Sequence, residues 1–163
     1  MRKASTFALR PLPVPAALAA VVGAPRALLA LGMPGCAACM LLPVSLMELS
    51  RARPDLTIAI GEFATIEDWA VREELLWPRG IRVSRSSVPA LALLVDGRTI
   101  ASRPGGGPAF VIDRWLDSVL GPSPHSFHDQ PTPAELAALD AHAGVIAQHR
   151  AVKRRRDSSL GAA

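Results

Sequence analysis

Cys36 and Cys39 are the only two cysteines in 163 residues, and they stand two residues apart in Gly35-Cys36-Ala37-Ala38-Cys39. Arg26 to Leu31 reads as a buried strand, Gly32 to Gly35 as a turn and Met40 onward as a helix, so the first cysteine falls at a helix N-terminus. Backbone N–H groups without intrahelical partners gather there and favour a thiolate. The thiolate is the form that attacks a disulfide, and a second thiol within reach then resolves the mixed disulfide. This spacing fits dithiol redox chemistry.

The elements that must position this pair follow from the rest of the chain. Half of the residues are hydrophobic, enough for the core of one domain without staples. Tyr is absent and Phe plus Trp come to 4%, so an aromatic platform for nucleic acid is not expected. The net charge of +4 is concentrated in Arg150, Lys153, Arg154, Arg155 and Arg156, read as a solvated tail complementing a helix C-terminus. A single close cysteine pair suits a reducing compartment and predicts a cytoplasmic protein. The alternative is export, because Met1-Arg2-Lys3 and the Ala/Leu-rich segment after it resemble a signal peptide. Pro11, Pro13, Pro15, Gly23, Pro25 and Arg26 interrupt that segment, and no membrane span is predicted.

Residues 1–13 read as an irregular lead and Pro15 to Val22 as a short helix with Pro near its start. The helix after the cysteines, Met40 to Arg53, contains Pro43 and stops before Pro54; Leu56 to Ile60 is a second buried strand. Thr65 is an N-cap for a helix reaching about Trp77, where Pro78 and Gly80 end it. Val88 to Val95 is the most apolar strand, joined by an Asp96-Gly97 hairpin turn to Arg98–Ser102. Gly105-Gly106-Gly107 leads into an amphipathic helix through Trp115 and Val119, and Gly121 closes the domain. A linker at 122–131 precedes Thr132-Pro133-Ala134-Glu135, a capping box opening a helix to about Ala151 with a narrow stripe of Leu136, Leu139, Ala143 and Ile146. His125, His128, His142 and His149 are read as solvated, and Trp69, Trp77 and Trp115 as core.

The order strand, Cys-x-x-Cys, helix, strand, helix, Val-Pro-led strand, Asp-Gly hairpin, glycine turn and terminal helix resembles the thioredoxin family over residues 14–121. The resemblance implies a thioredoxin-like three-layer α/β fold, a central mixed sheet flanked by helices, with residues 132–163 as an accessory helix and basic tail. It implies that Cys36 is the nucleophile, Cys39 the resolving thiol and Pro89 in Ser87-Val88-Pro89-Ala90 the family's cis proline. Substrate binding would fall on Gly35, Val88, Pro89 and Gly105. The activity implied is thiol–disulfide exchange with a disulfide-containing protein substrate, contributing to redox homeostasis without a cofactor or metal. An upstream thiol reductase would serve the pair, and the C-terminal helix is a candidate site for a further partner.

The chain departs from the family where the site is built. Gly35 stands in place of a Trp, Ala37-Ala38 in place of Gly-Pro, and Gly32 in place of an aromatic residue. The family's buried strand acid falls on Ala30 and its lysine partner near Ile60; Glu62, on the same alternating face as Ile60, is the candidate substitute. Two other classes therefore compete. Gly32-Met33-Pro34-Gly35-Cys36-Ala37-Ala38-Cys39 looks like the loop of heavy-metal-associated domains, in which two soft thiolates hold Cu(I) or Zn, with one residue too many. A thioredoxin-fold interaction module without catalysis is the other.

Overall fold

The computed structural model describes residues 9–123 and 132–160. Its centre is strand β2 (Arg26–Gly32), flanked in parallel by β3 (Thr57–Glu62) and antiparallel by β4 (Ala90–Val95). The two-residue β1 (Leu12–Pro13) extends the sheet beyond β3, and β5 (Arg98–Pro104) pairs antiparallel with β4, giving the order β1-β3-β2-β4-β5. Helices cover both faces, which is why β2 and β4 are almost uninterrupted apolar runs rather than alternating ones. The fold is thioredoxin-like α/β, with a further helix after the domain.

Side chains alternate across the sheet and sort the core into two layers. Ala27, Leu29 and Leu31 face α1 (Val14–Val22) and the segment that follows β3, while Leu28 and Ala30 face α2 (Ala37–Ala52) and α5 (Ala109–Leu120). The Asp96-Gly97 turn takes positive φ at both residues (49° and 75°), as a two-residue hairpin requires. A Cβ on Gly97 would lie 2.7 Å from the Val22 carbonyl oxygen, so this turn also lets the hairpin close against the end of α1. A register shift between Leu93 and Leu94 puts a bulge between β4 and β5.

Four expectations are corrected. The lead assigned to residues 1–13 is not wholly irregular, because Leu12 and Pro13 find β3 partners at Gly61 and Glu62. The helix expected from Thr65 to Trp77 is three pieces: α3 (Ile66–Ala70), α4 (Arg72–Leu75) and a 3-10 turn at Trp77–Arg79. Thr65 caps it as expected, accepting from the Asp68 N–H at 3.1 Å, but the ladder opens at Val71 (ψ −12°). Pro78, which has no N–H to donate, sits in the closing turn, and Gly80 ends it at φ 75°. The strand expected to begin at Val88 starts at Ala90, leaving Val88 and Pro89 in the approach. The last helix, α6 (Pro133–Leu160), runs past Ala151, so Arg150 to Arg156 form exposed helix surface rather than a tail beyond the helix end. The Thr132 hydroxyl accepts from the Glu135 N–H at 3.2 Å, the expected cap. Of the linker at 122–131, all but Pro122 and Ser123 lies outside the described residues, as do His125 and His128.

At its C-terminal end α2 is fixed by a buried charge. Arg53 is 2% exposed, and its Nε donates to Asp113 Oδ1 at 2.6 Å, while Nη2 reaches Asp117 on the next turn of α5. Replacing Arg53 with Met removes the cation from a fully buried carboxylate and is expected to cost about 3–5 kcal/mol. Arg53→Met with Asp113→Leu should recover much of that loss. Chemical denaturation of the two variants checks both outcomes.

Candidate active site

The end of β2 turns through Met33, Pro34 and Gly35 into α2, and the turn depends on Gly35 at φ 72°. Cys36 is the N-cap of α2, in extended conformation (φ −91°, ψ 114°), so its sulfur rather than an oxygen meets the free end of the helix. The Cys36 sulfur accepts from the Cys39 N–H at 3.2 Å, and the Cys36 carbonyl from the Met40 N–H at 3.1 Å. In the structure Cys36 and Cys39 are joined as a disulfide, their Cα atoms 5.2 Å apart. When the pair is reduced, the same N–H group and the helix dipole favour charge on Cys36.

Cys39 fills the space that Gly32 leaves empty. A Cβ on Gly32 would lie 3.1 Å from the Cys39 Cβ and 3.2 Å from its sulfur, so the glycine lets the second cysteine settle on the end of β2. Pro43, inside α2, has no N–H to offer the carbonyl of Cys39. Glu62 is half-buried and pairs directly with Gly32 across β2 and β3, on the side of the sheet that Ile60 shares with α2.

The opposite wall comes from the approach to β4. The Val88–Pro89 peptide bond is cis, and the Val88 carbonyl oxygen lies 4.0 Å from the Cys36 sulfur. Ser87 and Ser84 hold this approach through a 2.8 Å bond from the Ser84 N–H to the Ser87 hydroxyl. The Pro89 carbonyl accepts from the Gly105 N–H at 2.6 Å, extending the β4–β5 pairing by one step. Gly106 lets the loop close: a Cβ there would lie 3.0 Å from Leu42 and 3.4 Å from Pro89.

Of the residues expected at the site, Cys36, Cys39, Val88, Pro89 and Gly105 converge. Gly35 forms the turn beside Cys36; a cavity of about 460 Å³ opens nearby, lined by Ala38, Val88, Pro89 and Gly105 but by neither Gly35 nor the two cysteines themselves. That cavity has a wall the sequence reading did not include. α6 packs against α2, and Leu139, His142, Ala143, Ile146 and Arg150 line the cavity opposite Val88, Pro89 and Gly105. The signal was the helical spacing itself, since His142 and Arg150 continue the face marked by Leu139, Ala143 and Ile146. Burial of its ring pushes His142 below the ordinary imidazole range, favouring the uncharged form in the wall.

The two cysteines form a disulfide at a helix tip, with the Val88 carbonyl beside the first sulfur and a cavity lined by Val88, Pro89 and Gly105 nearby. Among the described residues no group of three or more metal-ligating side chains comes together, and no helix is long and apolar enough to cross a membrane.

No protein-family description matches this chain, and no curated protein does. Among solved structures it is similar to thioredoxin f2 of Chlamydomonas reinhardtii, with a TM-score of 0.49 and 16% identity over 71% of this chain and 99% of that one. A second similar chain comes from a structure of the thiol resolving mechanism in yeast mitochondrial 1-Cys peroxiredoxin via glutathione/thioredoxin systems. Its TM-score is 0.44 and its identity 15%, over 59% of this chain and 81% of that one.

Because Gly32 and Cys39 share one space, Gly32→Ala is expected to lower stability by about 1–3 kcal/mol through overpacking. Gly35→Ala, with nothing within 4 Å of its added carbon, acts through its positive φ alone. Thermal unfolding of both variants, with free-thiol titration of Gly32→Ala, checks which cysteine is displaced.

Proposed function

We propose that this protein is a thiol–disulfide oxidoreductase that passes two electrons between the Cys36–Cys39 couple and disulfides in protein substrates, contributing to cell redox homeostasis. The observation that carries this reading is the cysteine disulfide at the tip of α2, with the Val88 carbonyl 4.0 Å from the Cys36 sulfur and an open groove beside Pro89.

In the reducing direction the Cys36 thiolate attacks one sulfur of the substrate disulfide. The substrate's other sulfur leaves as a thiolate and takes up a proton, and Cys36 is held in a mixed disulfide. Deprotonated Cys39 then attacks the Cys36 sulfur, closing the Cys36–Cys39 disulfide and releasing the second substrate thiolate. An upstream thiol reductase restores the dithiol by supplying two electrons. Val88 holds the substrate segment by backbone pairing, Pro89 and Gly105, bonded to each other, shape the surface it lies on, and Gly35 leaves the approach to Cys36 open. Glu62, paired with Gly32 across β2 and β3, is the candidate to take the Cys39 proton in place of an acid at Ala30. A lone cysteine pair and the need for a reductase fit a cytoplasmic setting.

The Cys36–Cys39 couple is expected to titrate within the range of about −270 to −120 mV spanned by dithiol exchange proteins. Cys39→Ser should accumulate mixed disulfides through Cys36, and Cys36→Ser should abolish them. Iodoacetamide at neutral pH should label Cys36 of the reduced protein before Cys39. A couple that does not titrate between these potentials would leave the fold as an interaction module, and stoichiometric Cu(I) or Zn retained under reducing conditions would make it a metal carrier.

A further inference from the structure

The charges that line the substrate groove are of one sign. Beside the cavity described above lies a smaller one of about 170 Å³, which shares Ser87 and Pro104 with it, so the two adjoin on either side of these residues and are taken together as one groove. Arg150 lines the first half; Arg82 and Arg103 line the second. No Asp or Glu lines either half, and among the described residues none of these three arginines is in a salt bridge.

Two of these three guanidinium groups, those of Arg82 and Arg103, are held by aromatic rings rather than by carboxylates. Arg82 lies 4.7 Å from the centre of Trp77 and Arg85 5.0 Å from that of Trp69, with Arg72 between them at 6.0 Å and 5.4 Å from the same two rings. Arg72 also donates to the Val83 carbonyl at 3.2 Å, which ties the row to the segment carrying Arg82 and Arg85. Arg103 sits 5.8 Å from the centre of Trp115 and donates to the Gly106 carbonyl at 3.4 Å. Two of its five N–H donors go to backbone carbonyls, leaving three. Stacking of this kind keeps the full positive charge while restricting the side chain, so less rotamer freedom is lost when an anion arrives.

We propose that the groove selects an acidic polypeptide: an extended, disulfide-bearing segment with carboxylates on both sides of its cysteine, one side meeting Arg150 of α6 and the other Arg82 and Arg103. The inference rests on the oxidoreductase reading for the placement of the cysteine and on the groove's own charges for the rest. A polypeptide fits better than a nucleic acid. The indole faces that would stack bases are occupied by arginines, and an apolar wall of Val88, Pro89, Leu139 and Ile146 separates the two charged ends.

The test uses the full chain and three synthetic peptide disulfides that differ only in their flanks: acidic, neutral and basic. With Cys36→Ser/Cys39→Ser protein, fluorescence anisotropy at low ionic strength should show the acidic peptide bound about tenfold or more tightly than the basic one, and the ratio should shrink towards one in high salt. With active protein, the rates of disulfide reduction should rank the same way. Arg82→Glu/Arg150→Glu should reverse the order. Equal binding of the acidic and basic peptides would overturn the proposal, as would an acidic preference that survives the double reversal. An oligonucleotide that binds more tightly than the acidic peptide and loses affinity in the same variant would overturn it in favour of a nucleic-acid surface. Selective binding without reduction of any peptide would instead overturn the oxidoreductase reading and leave the acidic specificity standing.

Discussion

A buried guanidinium fixes the geometry from which everything at the site follows. Arg53 lies at the C-terminal end of α2, and Cys36 caps its N-terminal end, about 24 Å away at 1.5 Å per residue. The acids that hold Arg53 belong to α5, whose first turn follows the Gly105–Gly107 loop. One buried cation with its two acids therefore ties together both helices whose other ends border the cavity beside Val88 and Pro89. Hydrophobic packing of Leu42, Leu46 and Leu49 against Ile112 and Leu116 supplies the driving force for docking, but apolar contacts alone tolerate sliding. A paired charge in a dry interface does not, because any displacement leaves a carboxylate without its cation.

This explains how a site with few side chains of its own keeps its shape. Gly32, Gly35, Ala30 and Ile60 offer the site no charged or aromatic side chain. The structure relies on backbone and packing instead. Cys39 occupies the space above Gly32, the Pro89 carbonyl is bonded to Gly105, and Gly106 allows contact with Leu42. Positions without side chains have become the points of closest approach.

Local chemistry was legible wherever it determines local conformation. Asp96-Gly97, Thr65 with Asp68, Thr132 with Glu135 and the Gly80 stop each encode a turn or cap within four residues. The cysteine pair could be placed at a helix tip for the same reason. The break at Val71 was not legible, because Trp69 and Leu76 are both buried and stand seven residues apart, a spacing that one continuous helix satisfies equally well. The role of α6 was only half visible. Its apolar stripe announced that something must cover it, but nothing in the stripe names α2 and the Val88–Pro89 approach as the cover. Arg53 read as the end of a helix, although Asp113 and Asp117, four residues apart on one face of α5, were a sign that a cation had to come to them.

The bulge between β4 and β5 bears on how these molecules behave in a crowd. An exposed strand edge is a template for pairing with other chains, and β5 is a seven-residue edge of the sheet. The register shift at Leu93/Leu94 twists that edge, while Arg98 begins the strand and Arg103-Pro104 ends it with a charge and a residue lacking an N–H. At the other side of the sheet, β1 offers only two residues. Neither rim is a good template for strand addition, one because it is bulged, charged and ends on a proline, the other because it is too short.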